Sequence, residues 1–124
     1  MSPAFRIGFG PLARSYPVGY DPCVTAILLS DTFKRWLREL RDPRGKARVA
    51  ARLRSASYGH FGDVQPVGDG IMEMRIHHGP GYRLYYTRRG EAVYLLLVGG
   101  DKASQNRDIP RAKAMAAELD RKAT

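Results

Sequence analysis

The strongest pattern of hydrophobic and polar positions lies in the segment 71–87. Met72, Met74 and Ile76 alternate with polar residues, and this period of two predicts a β-strand that buries one face. A Gly-Pro-Gly turn interrupts the alternation, which then resumes in 82–87. The two runs therefore predict a pair of strands whose apolar positions share one core.

The polar positions of these two strands predict a second face of different character. This face is cationic and aromatic, with one carboxylate, and we expect it to be partly exposed to water. Its members are Glu73, Arg75, His77, Arg83 and Tyr85. A third strand, 92–98, is apolar throughout, as expected where both faces of a strand are covered, and the chain then continues through Gly-Gly-Asp to Lys102.

The segment before this sheet has helical periodicity. A short apolar run at 24–29 suits a first strand, and Ser30 or Asp31 can cap the element that follows. The apolar residues of that element recur at the i, i+3, i+4, i+7 spacing of an amphipathic helix: Phe33, Trp36, Leu37 and Leu40. We expect this helix to stop at Asp42-Pro43, because a residue before proline resists helical geometry and Pro43 suits the first turn of a second helix.

The remaining elements complete an α+β pattern. The second helix is expected to turn five residues inward, namely Ala47, Val49, Ala50, Leu53 and Ala56. Residues 64–67 are predicted to form an edge strand, because Pro66 cannot sit in a central one. A last helix after Lys102 is capped by Ser104 or Asp108. Its inward residues are Ile109, Ala112, Met115, Ala116 and Leu119. The predicted order is β-α-α-β-β-β-β-α, with a small antiparallel-dominated sheet packed by helices.

The first 23 residues differ from the rest of the chain. They hold half of its 8 prolines together with three glycines, and no periodicity is visible. We interpret residues 1–23 as an irregular or disordered extension, or as a segment that is not native because translation begins at Val24. Residues 24–124 are then expected to form a single domain.

Composition adds a strong basic excess, with a net charge of +9. This excess predicts attraction to polyanions, with nucleic acid first, an acidic protein second and an anionic membrane third. Two interpretations of the basic residues in the two predicted helices are about equally supported: a platform for ribosomal RNA, or a solvated helical face. The candidate RNA contacts are Lys34, Arg35, Arg38, Arg41, Arg44, Lys46, Arg48 and Arg52. A single cysteine, Cys23, fits a reducing cytoplasm, and the longest apolar run is too short to span a membrane.

The candidate site lacks the usual hydrolytic groups. His77 and His78 are adjacent on a strand and point to opposite faces, so they cannot share a metal ion, and His60 has no second ligand at a useful spacing. We therefore expect no metal or other cofactor. What remains is metal-free RNA cleavage, in which a ribose 2′-OH attacks the neighbouring phosphorus. That reaction needs a base, an acid, and cations for the growing phosphorane charge.

The residue types on the polar face suit these tasks. Arg83 and Arg75 can clamp a phosphate, because a guanidinium stays charged and binds phosphate oxygens in pairs. Lys102 adds a third cation, and His77 is the best acid or base by type, since imidazole titrates near neutral pH. Tyr85 can stack on a base or shuttle a proton.

Structural roles are the competing interpretation for several of these residues. Arg83 can instead pair with Glu73 across the hairpin, and Lys102 beside Asp101 can be simple turn chemistry. His77 is more often a surface histidine than a catalyst.

Two runs in the chain, ExRIxxGPGYRxYY and LLxGGDKxxQxxDI, resemble the RelE/ParE superfamily of bacterial toxins from type II toxin–antitoxin modules. The resemblance is closer to the HigB-like "addiction module killer" branch, and it covers roughly residues 24 to 120. It implies a RelE-like fold and a cytoplasmic toxin. It also implies a cognate antitoxin that is encoded nearby, often with a helix-turn-helix domain, and that covers the basic cleft.

The resemblance also implies roles for individual residues. Arg83, within GPGYR, matches the superfamily's strand arginine that contacts the scissile phosphate. Arg75 matches a basic position on the preceding strand, and Lys102 falls where a basic residue follows the glycine after the last strand. Asp108 stands near the position where RelE has a tyrosine that contributes to cleavage, so the resemblance does not identify the base and the acid.

These features together predict the toxin of a type II toxin–antitoxin pair, a ribosome-dependent mRNA endonuclease (mRNA interferase) acting in the ribosomal A site. His77 or Glu73 is left to serve as base or acid. One alternative is a ParE-like poison of DNA gyrase that is not a nuclease, and another is a non-toxic basic RNA-binding domain. The cluster of Arg75, Arg83 and Lys102 favours RNA cleavage, because ParE-type proteins generally lack such a cluster. No membrane partner is expected.

Overall fold

The computed structural model describes residues 25–123, so the interpretation of residues 1–23 concerns a segment outside the described residues. The elements follow the predicted order. They are β1 (Ala26–Leu29), α1 (Asp31–Glu39), α2 (Pro43–Ser57), β2 (Val64–Gly68), β3 (Ile71–Ile76), β4 (Tyr82–Arg88), β5 (Val93–Asp101), a 3₁₀ turn (Lys102–Ser104) and α3 (Gln105–Ala123). This is an α+β architecture with one five-stranded mixed sheet and three α-helices, which confirms the predicted fold class at that level.

The strands are ordered β1-β5-β4-β3-β2. Strands β2 to β5 form an antiparallel meander, and β1 adds to it in parallel, with Ala26 opposite Val93 on β5. The prediction that Pro66 marks an edge strand is confirmed, because β2 pairs with β3 alone and its register shifts between Pro66 and Gly68.

Two predicted caps begin the first two helices. The Oγ of Ser30 accepts a hydrogen bond from the Phe33 N–H at 3.0 Å and donates to the Leu97 carbonyl at 2.7 Å, which ties α1 to β5. The Oδ1 of Asp42 accepts from the Gly45 N–H at 3.0 Å, and proline occupies the first turn of α2. Helix α1 ends at Glu39, earlier than the expected stop at Asp42-Pro43.

Helices cover both faces of the sheet, and each face has its own apolar core. Helices α1 and α2 pack on one face, where Phe33 and Leu53 meet Leu84 of β4. Helix α3 packs on the other face, where Ala112 meets Tyr85 and Leu97.

Helix α3 lies over part of the polar face and buries Glu73, Arg83 and Tyr85. The Arg75 side chain keeps 30% of its surface exposed, so the face is partly wet as expected, although less than its polar residues suggest.

The inward face of α2 differs from the prediction. Val49, Leu53 and Ala56 are buried as expected, whereas Ala47 and Ala50 are exposed. The inward row begins instead at Gly45, where the absence of a side chain admits the ring of Tyr82; an added β-carbon there would lie 2.5 Å from a ring carbon. Close packing at Gly45 thus sets the rotation of α2. Within residues 25–123, no helix is long and apolar enough to cross a membrane.

Candidate functional site

The polar residues on the α3 side of the sheet meet in two cross-strand pairs. Arg75 of β3 lies opposite Arg83 of β4, and Glu73 lies opposite Tyr85. Two like charges directly opposite each other are destabilising unless a counter-charge lies near them. The carboxylate of Glu73 supplies that counter-charge, so these four residues and Gln105 of α3, which also contacts Glu73, form one network, called here the Glu73 cluster.

Glu73 is the centre of this network and is only 1% exposed. Its Oε1 accepts a hydrogen bond from Nε of Arg75 at 3.0 Å. Its Oε2 accepts from the Tyr85 hydroxyl at 3.1 Å and from Nε2 of Gln105 at 2.6 Å. Burial by itself would raise the pKa of Glu73, but the hydrogen bonds from Gln105, Arg75 and Tyr85 and the charge of Arg83 outweigh it. The pKa therefore lies below its ordinary value, and the carboxylate is ionised.

Arg83 differs from the other members, because its Nε has no hydrogen-bond partner among residues 25–123 and makes only a long ion pair with Glu73. The residue is only 8% exposed, so the expectation that it faces solvent is wrong. Its Nε lies 3.9 Å from Oε2 of Glu73, which is too long for a hydrogen bond. Among residues 25–123, this Nε is the one buried side-chain nitrogen or oxygen without a hydrogen-bond partner. Such a group in a native fold points to strain, to function or to a missing partner.

The Nη1 of Arg83 and the Cβ of Lys102 both lie near Gly81 of the β3–β4 turn. Gly81 has a positive φ of 79°, a conformation that glycine adopts without strain. A β-carbon placed on Gly81 would lie 4.0 Å from Nη1 of Arg83 and 3.6 Å from Cβ of Lys102. Lys102 is itself exposed at the end of β5. The fold therefore brings together three of the predicted residues, Arg75, Arg83 and Lys102.

Tyr85 is part of the Glu73 cluster but is completely buried. Its ring has no open face on which an RNA base could stack, so the stacking role expected from the sequence does not fit this placement. Burial raises the pKa of the Tyr85 hydroxyl, and the nearby charge and hydrogen bond of Glu73 raise it further. The hydroxyl therefore holds Glu73 in place as a donor and does not exchange its proton near neutral pH.

His77 lies away from the Glu73 cluster. Strand β3 ends at Ile76, so the alternation that assigned His77 to the same face as Glu73 no longer applies. The His77 side chain is 73% exposed, and its Nε2 lies 2.6 Å from Oδ2 of Asp63. It lines a depression of about 300 Å³ against α2, together with Arg48 and Arg52.

A second histidine forms a cluster that sequence reasoning missed. Oδ2 of Asp42 accepts a hydrogen bond from the Tyr82 hydroxyl at 2.9 Å, and Nε2 of His78 lies 3.3 Å from the same oxygen. The Gly45 N–H, together with Tyr82 and His78, lowers the pKa of Asp42. These contacts tie the β3–β4 turn to the start of α2. The sequence identified Asp42 as a cap, but nothing in the pattern indicates that its second oxygen reaches another element.

Asp108 is enclosed where α3 crosses β5. It lies inside the first turn of α3, so of the two predicted caps Asp108 is wrong, and Ser104 is the residue that directly precedes the helix. It is 1% exposed, its Oδ2 accepts from the Ser104 hydroxyl, and a β-carbon on Gly100 would overlap its carboxylate. On the other side of β5, a β-carbon on Gly99 would overlap the ring of Trp36. Both glycines are therefore required by close packing.

The basic residues of α1, of α2 and of the connection between them lie on the opposite side of the sheet from the Glu73 cluster. Most are exposed or half-buried, as a solvated or RNA-binding surface requires: Lys34, Arg35, Arg38, Arg41, Arg44, Lys46 and Arg48. Arg52 is different, because its guanidinium donates to the carbonyls of Arg75 and Phe61 and, more weakly, to that of Asp63. Burial lowers the pKa of Arg52. Its donors therefore hold the loop before β2 against β3, and the prediction that Arg52 contacts RNA does not fit this geometry.

Across residues 25–123, no group of three or more His, Cys, Asp and Glu side chains is arranged to hold a metal ion.

Comparison with known proteins places the chain in a family. No protein-family model matches it. The chain is similar to a protein of Haemophilus influenzae that carries the name "Uncharacterized protein", with 46% identity over 88 residues. The similarity covers 71% of this chain and 89% of the relative. The chain therefore belongs to the same family as that H. influenzae protein, whose name describes no activity.

Proposed function

We propose that this protein is the toxin of a type II toxin–antitoxin pair, a HigB-like member of the RelE/ParE superfamily with a RelE-like fold. Its activity is ribosome-dependent cleavage of mRNA in the cytoplasm. The observation that carries the proposal is the Arg83 guanidinium, which is buried, lacks a hydrogen-bond partner at Nε, and lies close to Lys102 and Arg75. A buried cation with unused donors is costly unless a ligand supplies oxygens, and a phosphate matches a guanidinium with paired hydrogen bonds.

Electrostatic stabilisation is the main task of this site. When the 2′-OH attacks the phosphorus and the 5′-oxygen departs, negative charge grows on the phosphate oxygens. Arg83 and Arg75 stabilise that charge with donors fixed in advance by the sheet, and exposed Lys102 adds a mobile cation. Preorganised charges of this kind stabilise a transition state more than the ground state when the site is shielded from water.

Glu73 and Tyr85 take no direct part in proton transfer in this mechanism. Both oxygens of Glu73 accept hydrogen bonds inside the protein, and the Tyr85 hydroxyl donates to one of them. The expectation that Glu73 serves as base or acid is therefore replaced by a structural role, in which it orients Arg75 and holds Arg83 by charge. His77 lies apart from these residues, beside Asp63 on the α2 side.

The partners follow from the same proposal. The ribosome presents the mRNA, and the exposed basic residues of α1 and α2 are suited to contacts with ribosomal RNA phosphates. A cognate antitoxin encoded next to the toxin gene, of the helix-turn-helix type, covers the cationic site. Co-expression of the neighbouring small reading frame is expected to restore growth and to co-purify with this protein.

Mapping of mRNA 5′ ends after induced expression tests the activity directly. We expect new 5′ ends within coding regions for the wild type, and about a hundredfold slower ribosome-dependent cleavage for Arg83→Ala. Arg83→Lys should recover only part of the rate, because lysine keeps the charge and loses the paired geometry. Arg88→Ala is the matched control, since Arg88 is exposed on the same strand and bonds only to carbonyls of the next turn.

Each outcome of this experiment has a definite meaning. A folded Arg83→Ala protein that cleaves like the wild type would refute the site. Growth inhibition without new 5′ ends in any variant would instead favour a gyrase poison. If the protein neither inhibits growth nor cleaves mRNA but still binds RNA, the remaining interpretation is a basic RNA-binding domain.

A further inference from the structure

The carboxylate of Glu73 has more neighbouring donors than it binds. Arg75, Tyr85 and Gln105 donate to it, while Arg83 is held 3.9 Å away. We propose that Gln105 is a positioning residue, which occupies Oε2 of Glu73 and thereby keeps the Arg83 guanidinium free to bind phosphate. This inference rests on the proposed function, because it concerns the same phosphate-binding arginine.

The geometry at Oε2 explains why Arg83 is excluded. A carboxylate oxygen has about two lone-pair positions, and here Tyr85 and Gln105 fill them from 3.1 and 2.6 Å. The Nε of Arg83 lies 3.9 Å from the same oxygen, about 1 Å beyond a normal hydrogen bond. Arg83 thus feels the charge of Glu73 without being bound by it.

Removal of Gln105 would change that balance. One position on Oε2 would open, and a shift of about 1 Å would let Nε of Arg83 fill it. A hydrogen bond between two charged groups is stronger than one from a neutral amide, so the guanidinium would be drawn inward. Its remaining nitrogens would then move away from Lys102, and the affinity of the site for phosphate would fall.

The chemical nature of residue 105 fits this role. Glutamine donates to the carboxylate without adding a charge, so it does not neutralise the field that holds Arg83. A lysine would repel Arg83, and a glutamate would bind it. Gln105 begins α3 directly after the 3₁₀ turn of Lys102–Ser104, so its position is fixed by the same segment that carries Lys102.

Nitrogen-15 NMR of arginine side chains tests the inference without an activity assay. The Nε–H signal of Arg83, assigned with Arg83→Lys, should report no hydrogen bond in the wild type and should shift downfield in Gln105→Leu. Titration with inorganic phosphate should show a loss of affinity on the order of tenfold or more in Gln105→Leu. Asn106→Leu is the matched control, because Asn106 is an exposed amide next to Gln105 in α3, and it should change neither measurement.

A compensating variant separates positioning from a merely structural role. In Glu73→Gln/Gln105→Leu the residue that captures Arg83 is neutral, so phosphate affinity should recover relative to Gln105→Leu alone. If both substitutions only damaged the local structure, their losses of phosphate affinity would instead add in the double variant.

The possible results distinguish this inference from the proposed function. A hydrogen-bonded Arg83 Nε–H in the wild type would overturn the inference whatever the variants do, as would an unchanged Arg83 signal and phosphate affinity in a folded Gln105→Leu protein. If Arg83 shifts and phosphate affinity falls while mRNA cleavage is unaffected, Gln105 positions Arg83 as inferred and the proposed function fails.

Discussion

Arg52 is half-buried and Arg83 is buried, they lie on opposite sides of one sheet, and they are used in opposite ways. The guanidinium of Arg52 donates to backbone carbonyls on two segments. The guanidinium of Arg83 has an unpaired Nε and only a long contact to Glu73. An arginine whose donors are filled by backbone carbonyls stabilises the fold, whereas one with an unpaired donor is a candidate for binding a ligand. The partners of the donors, more than the degree of burial, therefore distinguish the two roles.

The largest expected difference is in stability, when each guanidinium is removed while its apolar stem is kept. Arg52→Met loses charge-assisted hydrogen bonds to carbonyls, including the half-buried one of Arg75, and should lower the free energy of unfolding by about 2 kcal/mol. Arg83→Met should change it by about 1 kcal/mol or less, because the lost attraction to Glu73 is offset by removal of an unpaired buried nitrogen. Urea unfolding of both variants measures the difference.

The rate of mRNA cleavage should show the reverse order, because Arg83→Met should lower it more than Arg52→Met does. This comparison of the same two variants is the control. If Arg83→Met proves as destabilising as Arg52→Met, the guanidinium of Arg83 has a structural role and the contrast between the two residues does not hold.

A smaller effect is expected in the pH dependence of stability. Burial alone would raise the pKa of Glu73. The hydrogen bonds from Gln105, Arg75 and Tyr85 and the charge of Arg83 have the larger, opposite effect, so the pKa lies below the ordinary 4.5. At pH values near and below 4.5, the Glu73 carboxylate is therefore protonated more readily in the unfolded chain than in the folded one. The ionised Glu73 therefore contributes fully to the free energy of unfolding above about pH 4.5, and this contribution is lost as the pH falls through the lowered pKa of the folded state.

Glu73→Gln should therefore have a shallower fall in unfolding free energy between about pH 3 and 5 than the wild type. The slopes can be compared by urea unfolding at several pH values. Asp120→Asn, which removes the carboxylate of an exposed pair with Arg89, should leave the slope nearly unchanged. Equal slopes in Glu73→Gln and the wild type would mean that the network does not hold the carboxylate ionised.

The smallest effect is expected from deletion of residues 1–23. Because this segment lacks periodicity, its removal should leave both the melting temperature and the toxicity nearly unchanged. Thermal unfolding and growth assays of the shortened chain measure the two quantities. A large drop in melting temperature would show that the segment packs against the sheet, and the environments of Arg52 and Arg83 would then need to be considered with it.

Local patterns predicted the elements well, because each depends on residues close in sequence. The alternation around Met74 indicated β3, Ser30 and Asp42 indicated the helix starts, and Pro66 indicated an edge. What the pattern does not contain is the side of the sheet on which α3 docks. The pattern therefore predicted a face partly exposed to water, and it did not indicate that Glu73, Arg83 and Tyr85 are buried within it.

The candidate site was predictable only in part for the same reason. Alternation placed Arg75 and Arg83 together, and pairing in the sheet brings Lys102 near them. It misplaced His77, because the strand ends one residue earlier. It also could not separate Arg52 from the other basic residues, since the acceptors of Arg52 come from a loop whose position depends on the whole fold. The sequence did not indicate a role for Gln105, because the role of an amide side chain can be inferred only when its hydrogen-bond partner is known.

The Gly99-Gly100 pair at the end of β5 has a consequence for how the protein tolerates change. The strand is in contact with Trp36 on one side and with Asp108 on the other, each at the place where a side chain would begin. One added methyl group at residue 99 would press on α1, and one at residue 100 would press on α3. The spacing of the two helical layers from the sheet can therefore be altered one at a time, by single carbon atoms on a single strand.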